Sequence, residues 1–177
     1  MTATTVPAGV DRLQAILDAR DARATRRREL QRRHPAGTVV VLTLVIPGPD
    51  KGGPGWRDLR EEALRCVERL CARRGWAVDA QEPADTATGP ETALVVRAEA
   101  GELKSVLVEL EDSHPWGRLW DLDVHVGELP LSRVAVGADP RPCLVCPGPA
   151  HACARSRAHP LTEVLAAVEV IRGRPRA

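Results

Sequence analysis

The chain has 177 residues, enough for one domain with a sizeable core, and its 25 basic residues nearly balance 24 acidic ones. The longest apolar run, 39–46 with Thr43 inside it, is only strand-length, and no signal-peptide apolar stretch opens the chain, so no membrane span is expected and a cytoplasmic setting is. Phe and Tyr are absent and four Trp are the only stacking platforms, which argues against nucleic acid as a partner. Charge is unevenly placed: residues 11–33 carry eight Arg against four acids, and residues 99–128 carry eight acids against one Lys and one Arg. An acidic centre with basic flanks suits a metal ion and a polyanion. With Arg as the default cation, the two lysines, Lys51 and Lys104, either mark positions that want a compact charge or fall there by chance.

Residues 1–9 read as a disordered tail. A basic helix follows over 10–34, with Leu13, Ile16, Leu17 and Ala24 on one stripe and Pro35 ending it. Arg20, Arg23 and Arg27 share a face, which is either solvated or turned to phosphate. Residues 38–46 read as a central buried strand, followed by a Pro- and Gly-rich loop, 47–55, whose spacing is not that of a Walker loop. Trp56, Leu59, Ala63, Val67 and Leu70 mark an amphipathic helix capped by Gly75, with Cys66 and Cys71 as core thiols. Residues 76–82 and 93–96 read as strands joined by a loop containing Thr88-Gly89-Pro90. Residues 102–113 suit a helix by length and composition, although Val106, Val108 and Leu110 also fit a strand.

Residues 119–126 alternate strictly. On a strand, Leu119, Asp121, Asp123 and His125 point one way and Trp120, Leu122, Val124 and Val126 the other. The two aspartates then lie about 6.5–7 Å apart along one face, where both can converge on a hard cation such as Mg²⁺, or simply form a solvated acidic edge. Upstream, Gly117 permits a tight turn and Arg118 offers a phosphate-binding fork. A short strand over 129–136 and a C-terminal helix over 161–171, with Leu161, Val164, Leu165 and Val168 on its apolar face, complete the elements.

The order β-α-β-β-α-β predicts an α+β protein: a split βαββαβ (ferredoxin-like) sheet with an added N-terminal helix and a C-terminal Cys-containing helical segment. A single domain, 1–177, is expected, with 38–136 as its core and 137–177 as the Cys- and Arg-bearing segment. This topology places loop 47–55 with Lys51, the Thr88-Gly89-Pro90-Glu91 turn and 114–118 at one end of the sheet. Cys143 and Cys146 have zinc-knuckle spacing. Cys153 with His159 or His151 completes a tetrahedral structural zinc site, unless these are simply reduced thiols.

Lys104, Leu110-Glu111, His114-Pro115, Gly117-Arg118-Leu119, Asp121, Asp123, Ser132-Arg133, Arg141, Cys143-Leu144 with Cys146, and the run from Cys153-Ala154-Arg155 to His159 resemble the holo-acyl-carrier-protein synthase family of citrate lyase. Arg20 to Arg23, Pro47-Gly48 with Lys51, and Gly89-Pro90-Glu91 resemble its N-terminal half, while Val45 stands where a typical member has Asn. The resemblance implies transfer of phosphoribosyl-dephospho-CoA from triphosphoribosyl-dephospho-CoA to a serine of the citrate lyase acyl carrier (gamma) subunit, with release of diphosphate. The residues fit this chemistry: Asp121 and Asp123 would hold Mg²⁺ at phosphate oxygens, and His114, rather than Glu111, is the favoured acceptor of the serine proton. Phosphate-binding roles fall to Arg118, Lys104, Lys51, Gly89, Arg20, Arg23, Arg133 and Arg155. Two other readings stay open: a different DxD-dependent nucleotidyltransferase, and a non-catalytic module organised by a zinc knuckle.

Overall fold

The computed structural model describes residues 8–175, and the protein is α+β. Helix α1 (Ala8–Arg33) precedes strand β1 (Thr38–Leu44), helix α2 (Pro54–Arg74), the hairpin of β2 (Val78–Thr86) and β3 (Gly89–Val96), helix α3 (Ala100–Ser113) and strand β4 (Trp120–Val126). A two-residue β5 (Leu129–Pro130) and helices α4 (Ala150–Ser156) and α5 (Leu161–Arg172) follow. All strand pairs are antiparallel, in the order β2-β3-β1-β4-β5.

Central β1 is apolar and buried from Val39 to Leu42 because both its faces are covered there. Val40 and Leu42 join Leu94, Val96, Trp120, Leu122 and Val124 under α2 and α3, while Val39 and Val41 join Ala93 and Val95 under Leu30 of α1. Burial of Trp120 alone makes its truncation to Ala worth about 3–5 kcal/mol. Helix α2 buries Trp56, Leu59, Ala63 and Val67 and stops at Gly75, whose φ of 69° closes the helix without a Cβ penalty. Helix α3 starts where the Glu99 carboxylate accepts the Glu102 N–H, a cap that settles the helix-or-strand ambiguity of this segment.

Several elements differ from expectation. Helix α1 begins at Ala8, two residues inside the expected tail, and residues 1–7 lie outside the described part of the chain. Its Leu13 and Leu17 are exposed, since α1 docks through its second half by Leu30, Arg23, Arg26 and Arg27. The β2–β3 hairpin extends across 83–91, where a long loop was expected, because cross-strand pairing continues to Thr86↔Gly89. Leu119 belongs to a 3-10 turn (Gly117–Leu119) and is buried in the α2–α3 core, away from the aspartates' face. Val126 is exposed. Residues 129–136 form only β5 and a 3-10 turn, as Pro130 cannot donate and the chain turns away.

The register places the end of β1, the β2–β3 turn and the start of β4 together, with Leu44 opposite Trp120 and Thr43 opposite Asp121. Gly89, at φ 116°, lets loop 47–53 lie against the turn. A Cβ there would sit 2.6 Å from Ile46 Cδ1 and 3.4 Å from the Lys51 carbonyl oxygen.

Candidate active site

Strand β4 divides two environments. Trp120, Leu122 and Val124 are fully buried under α2 and α3, so strand alternation turns Asp121, Asp123 and His125 to the opposite face. Both aspartate side chains stay about two-fifths exposed, at 43% and 40%. Arg141 Nη2 lies 3.5 Å from Asp121 Oδ1, and Lys104 Nζ lies 3.7 Å from Asp123 Oδ1. Burial, then the neighbouring Asp121 charge, push the Asp123 carboxyl up to about 6, with Lys104 opposing. Each aspartate thus has a single cation beside it at 3.5 Å or more, its carboxylate stays partly open, and carboxylate oxygens are the donors a hard divalent cation takes. His125 shares the face. Burial, aided by Arg27 and Lys104, holds it down at about 4, and its Nδ1 is buried without a hydrogen-bond partner. The sequence reading gave His125 no role, because nothing in spacing distinguishes it from the other alternating residues.

Glu111 and Lys104 reach the same strand from α3, at its edge. Glu111 Oε1 accepts the Leu122 N–H at 2.7 Å, and Lys104 Nζ donates to the Leu122 carbonyl at 2.8 Å. Glu111 Oε2 also takes Arg141 at 2.6 Å and Arg133 at 3.0 Å. Burial pushes the Glu111 carboxyl up, opposed by Arg141 and the Leu122 amide. Arg133 is fully engaged, with Asp112 at 2.5 Å and the Asp139 carbonyl as its other partners. Glu111 and Arg133 therefore close the edge of β4.

His114 sits on the other side of the sheet. Its ring stacks on Trp120 with centroids 4.2 Å apart, Nδ1 accepts the Trp116 N–H, and its environment is Glu62 and Cys66 of α2. Burial pushes its pKa down. The whole sheet separates it from Asp121 and Asp123.

A cavity of about 530 Å³ opens beyond the start of β4, between residues 45–47 of the β1 exit and the C-terminal segment. Val45, Leu144, Leu161 and Val164 form apolar wall, and Arg118, Arg141 and Arg157 supply positive charge. Val45 donates its N–H to the Leu119 carbonyl and contributes only an apolar side chain. Arg118 donates to the Pro142 carbonyl, and burial lowers its pKa, then the Arg141 charge. Arg141 joins the two regions: it lines the cavity and also contacts Trp120 O, Glu111 and Asp121.

The other expected phosphate contacts disperse. Lys51 donates to the Ile46 carbonyl, and burial, then Arg12, lower its pKa. Arg23 binds Glu91 and Thr88, and Arg26 and Arg27 pair with Glu91 and Glu128, so this arginine row holds α1 to the sheet. Arg20 and Arg155 are exposed and do not line the cavity. Arg157 went unnoticed in the sequence because its place in the cavity depends on a left-handed backbone, φ 52°.

Cys143, Cys146, Cys153 and His159 come together, with one ligand atom from each within 4.8 Å of all the others. This set of donors can hold a metal ion. His151 is exposed and outside the group. The hydrogen bond between the Cys146 and Cys153 sulfurs, then burial, push the Cys153 thiol up to about 11.

Two comparisons bear on this arrangement. The family model described as apo-citrate lyase phosphoribosyl-dephospho-CoA transferase matches residues 11–173. Proteins named apo-citrate lyase phosphoribosyl-dephospho-CoA transferase from Escherichia coli O139:H28 and Shigella boydii serotype 18 are each 39% identical over 158 residues, covering 88% of this chain and 85% of the relative.

Proposed function

The chain belongs to the apo-citrate lyase phosphoribosyl-dephospho-CoA transferase family, and from that premise we propose that it transfers phosphoribosyl-dephospho-CoA from triphosphoribosyl-dephospho-CoA to a serine of the apo-citrate lyase acyl carrier (gamma) subunit. The serine oxygen forms a bond to the α-phosphorus, the bond from that phosphorus to the diphosphate oxygen breaks, and diphosphate leaves with the electron pair. The observation that carries this reading is Arg141, whose guanidinium lies between an apolar, arginine-lined cavity and the Asp121–Asp123 pair. Such a cavity suits a donor with an apolar pantetheine arm and a run of phosphates.

In this reading the donor's triphosphate lies against Arg118, Arg141 and Arg157, whose charge offsets that building on the leaving diphosphate. Asp121 and Asp123 are the residues that would hold Mg²⁺; the ion supplies charge neutralisation at phosphate oxygens. Lys104 stays within reach of Asp123 and keeps that carboxylate oriented. The serine proton passes to solvent, since His114 packs on the other face and Glu111 is engaged along the β4 edge. The reaction belongs in the cytoplasm, where the five unbridged cysteines stay reduced. No helix among the described residues is long and apolar enough to cross a membrane.

The test is intact mass of the apo carrier subunit after incubation with the protein, Mg²⁺ and triphosphoribosyl-dephospho-CoA. The carrier should gain one phosphoribosyl-dephospho-CoA unit, and Asp121→Asn should slow the gain about 100-fold or more. An unmodified carrier with active donor and folded protein overturns the assignment.

A further inference from the structure

None of residues 137–160 is buried, yet the segment holds a defined course: a Pro142↔Pro149 bridge, helix α4 and the turn at Arg157. Leu144 packs on the main core and Arg141 binds Glu111 and the Trp120 carbonyl, but these ties hold only the start of the segment, so another constraint must offset the conformational entropy of the stretch from 145 to 160. The cysteine group lies in the middle of it.

We propose that Cys143, Cys146, Cys153 and His159 bind one structural zinc ion, that Glu163 orients the histidine for it, and that this clamp builds a wall of the adjoining cavity. The separations match a tetrahedral S₃N site. Cys146 Sγ lies 3.6 Å from Cys153 Sγ, and His159 Nε2 lies 3.3 Å from Cys146 Sγ. Bond lengths of about 2.3 Å to sulfur and about 2.0 Å to nitrogen give tetrahedron edges of about 3.8 Å and about 3.5 Å. A disulfide is a poor alternative, since three sulfurs share the site at non-bonded distance.

The surroundings are built for the ion as well. The Cys143 N–H donates to the Gly148 carbonyl at 2.7 Å and the Ala150 N–H to the Arg141 carbonyl at 2.8 Å, closing the turn that carries both knuckle cysteines. The Val145 N–H points to Cys143 Sγ at 3.5 Å, a contact that favours a thiolate there. His159 Nδ1 lies 3.8 Å from Glu163 Oε2 in the first turn of α5, so a proton on Nδ1 faces a carboxylate while Nε2 faces Cys146 Sγ. Cys143, Cys153 and His159 also line the cavity beside Arg157, so an ion holding them fixes that wall.

The purified full chain, supplied with zinc and passed through gel filtration, should carry one zinc per chain by elemental mass spectrometry. Cobalt in its place should give the intense near-ultraviolet absorption of thiolate-to-metal charge transfer. Folded protein without stoichiometric zinc, or cobalt protein without that band, overturns the proposal. Cys146→Ser should lose the metal. Because that variant can also misfold, Glu163→Gln provides the second measurement: zinc should be lost to a competing chelator with about 10–100-fold weaker affinity. Unchanged zinc affinity overturns the part assigned to Glu163. Chelation of zinc should open 137–160 to proteolysis while 38–126 stays resistant, and unchanged cleavage overturns the clamp. The link to the cavity rests on the transfer reading: zinc removal should raise the donor KM about tenfold or more. An unaltered KM after zinc has been stripped from a protein that carried it and was active overturns the link; a protein that binds zinc and never modifies the carrier counts against the transfer reading instead.

Discussion

Replacing Glu111 with Gln separates a structural from a catalytic role for this residue. The side chain is 2% exposed and answers three donors: the Leu122 N–H, Arg133 and Arg141. Glutamine keeps an oxygen for the Leu122 N–H, but its amide then presents N–H groups to two guanidiniums. Removing one partner of a buried ion pair costs about 3–5 kcal/mol. Here Arg133 retains Asp112 and Arg141 retains Asp121 and the Trp120 carbonyl, and these arginine side chains are 12% and 17% exposed, so the loss falls at the lower end, about 3 kcal/mol. For a chain of this size each kcal/mol moves Tm by about 2–4 °C, which predicts a drop of about 6–12 °C by calorimetry or circular dichroism. Carrier modification measured well below Tm should stay within about fivefold of wild type. A Tm within about 2 °C of wild type would refute the edge-closing role, and a folded variant slowed about 1000-fold would make Glu111 a proton acceptor after all.

Arg118→Ala should raise the donor KM by about 10–100-fold in steady-state assays with little change in Tm, because among the described residues its one hydrogen bond is to the Pro142 carbonyl; a large Tm loss with unchanged KM would remove it from the donor's path. Gly117→Ala should destabilise the protein by about 3 kcal/mol in urea titration, since a Cβ would lie 2.2 Å from the Glu111 carbonyl oxygen and neither backbone can yield easily; a neutral variant would contradict the packing. The metal-free protein has a pH signature: the Asp123 carboxyl is held at about 6 against an ordinary 3.8, so its contribution to stability is complete below 3.8 and is lost as pH rises through about 6. Allowing for solvent screening of a side chain 40% exposed, that loss is about 1 kcal/mol, and Asp123→Asn should gain this much on wild type between pH 4 and 7; a flat difference would place Asp123 in an ordinary environment.

What the sequence disclosed was local. The apolar run of β1, the stripe of α2 with its glycine stop, and the alternation of β4 from Trp120 to His125 follow from periods of two and 3.6, and each stands in the fold. The convergence of loop 47–53, Gly89 and the start of β4 followed from connectivity alone. Distant side-chain partners were not legible. Glu111 and Lys104 look like any solvent-facing helix residues until Leu122, 11 and 18 positions away, turns out to present an unpaired N–H and carbonyl to them. The arginines of α1 looked free to meet phosphate because Glu91, 65 to 68 residues away, gave no sign of being buried beneath them. The resemblance and the topology grouped His114 with the aspartates, yet as the residue ending α3 it stacks on Trp120, on the face of the sheet opposite to them.

The outer margin of β4 bears on how a partner protein can attach. Trp120 O, both polar groups of Leu122, and Val124 O are already engaged by Arg141, Glu111, Lys104 and the Leu131 N–H. An incoming strand would find these four positions of the ladder taken, so under the proposed function a carrier beside Asp121 and Asp123 would be met by side chains. Sheet extension, the common route by which exposed edges recruit peptides or seed aggregation, is obstructed along these residues.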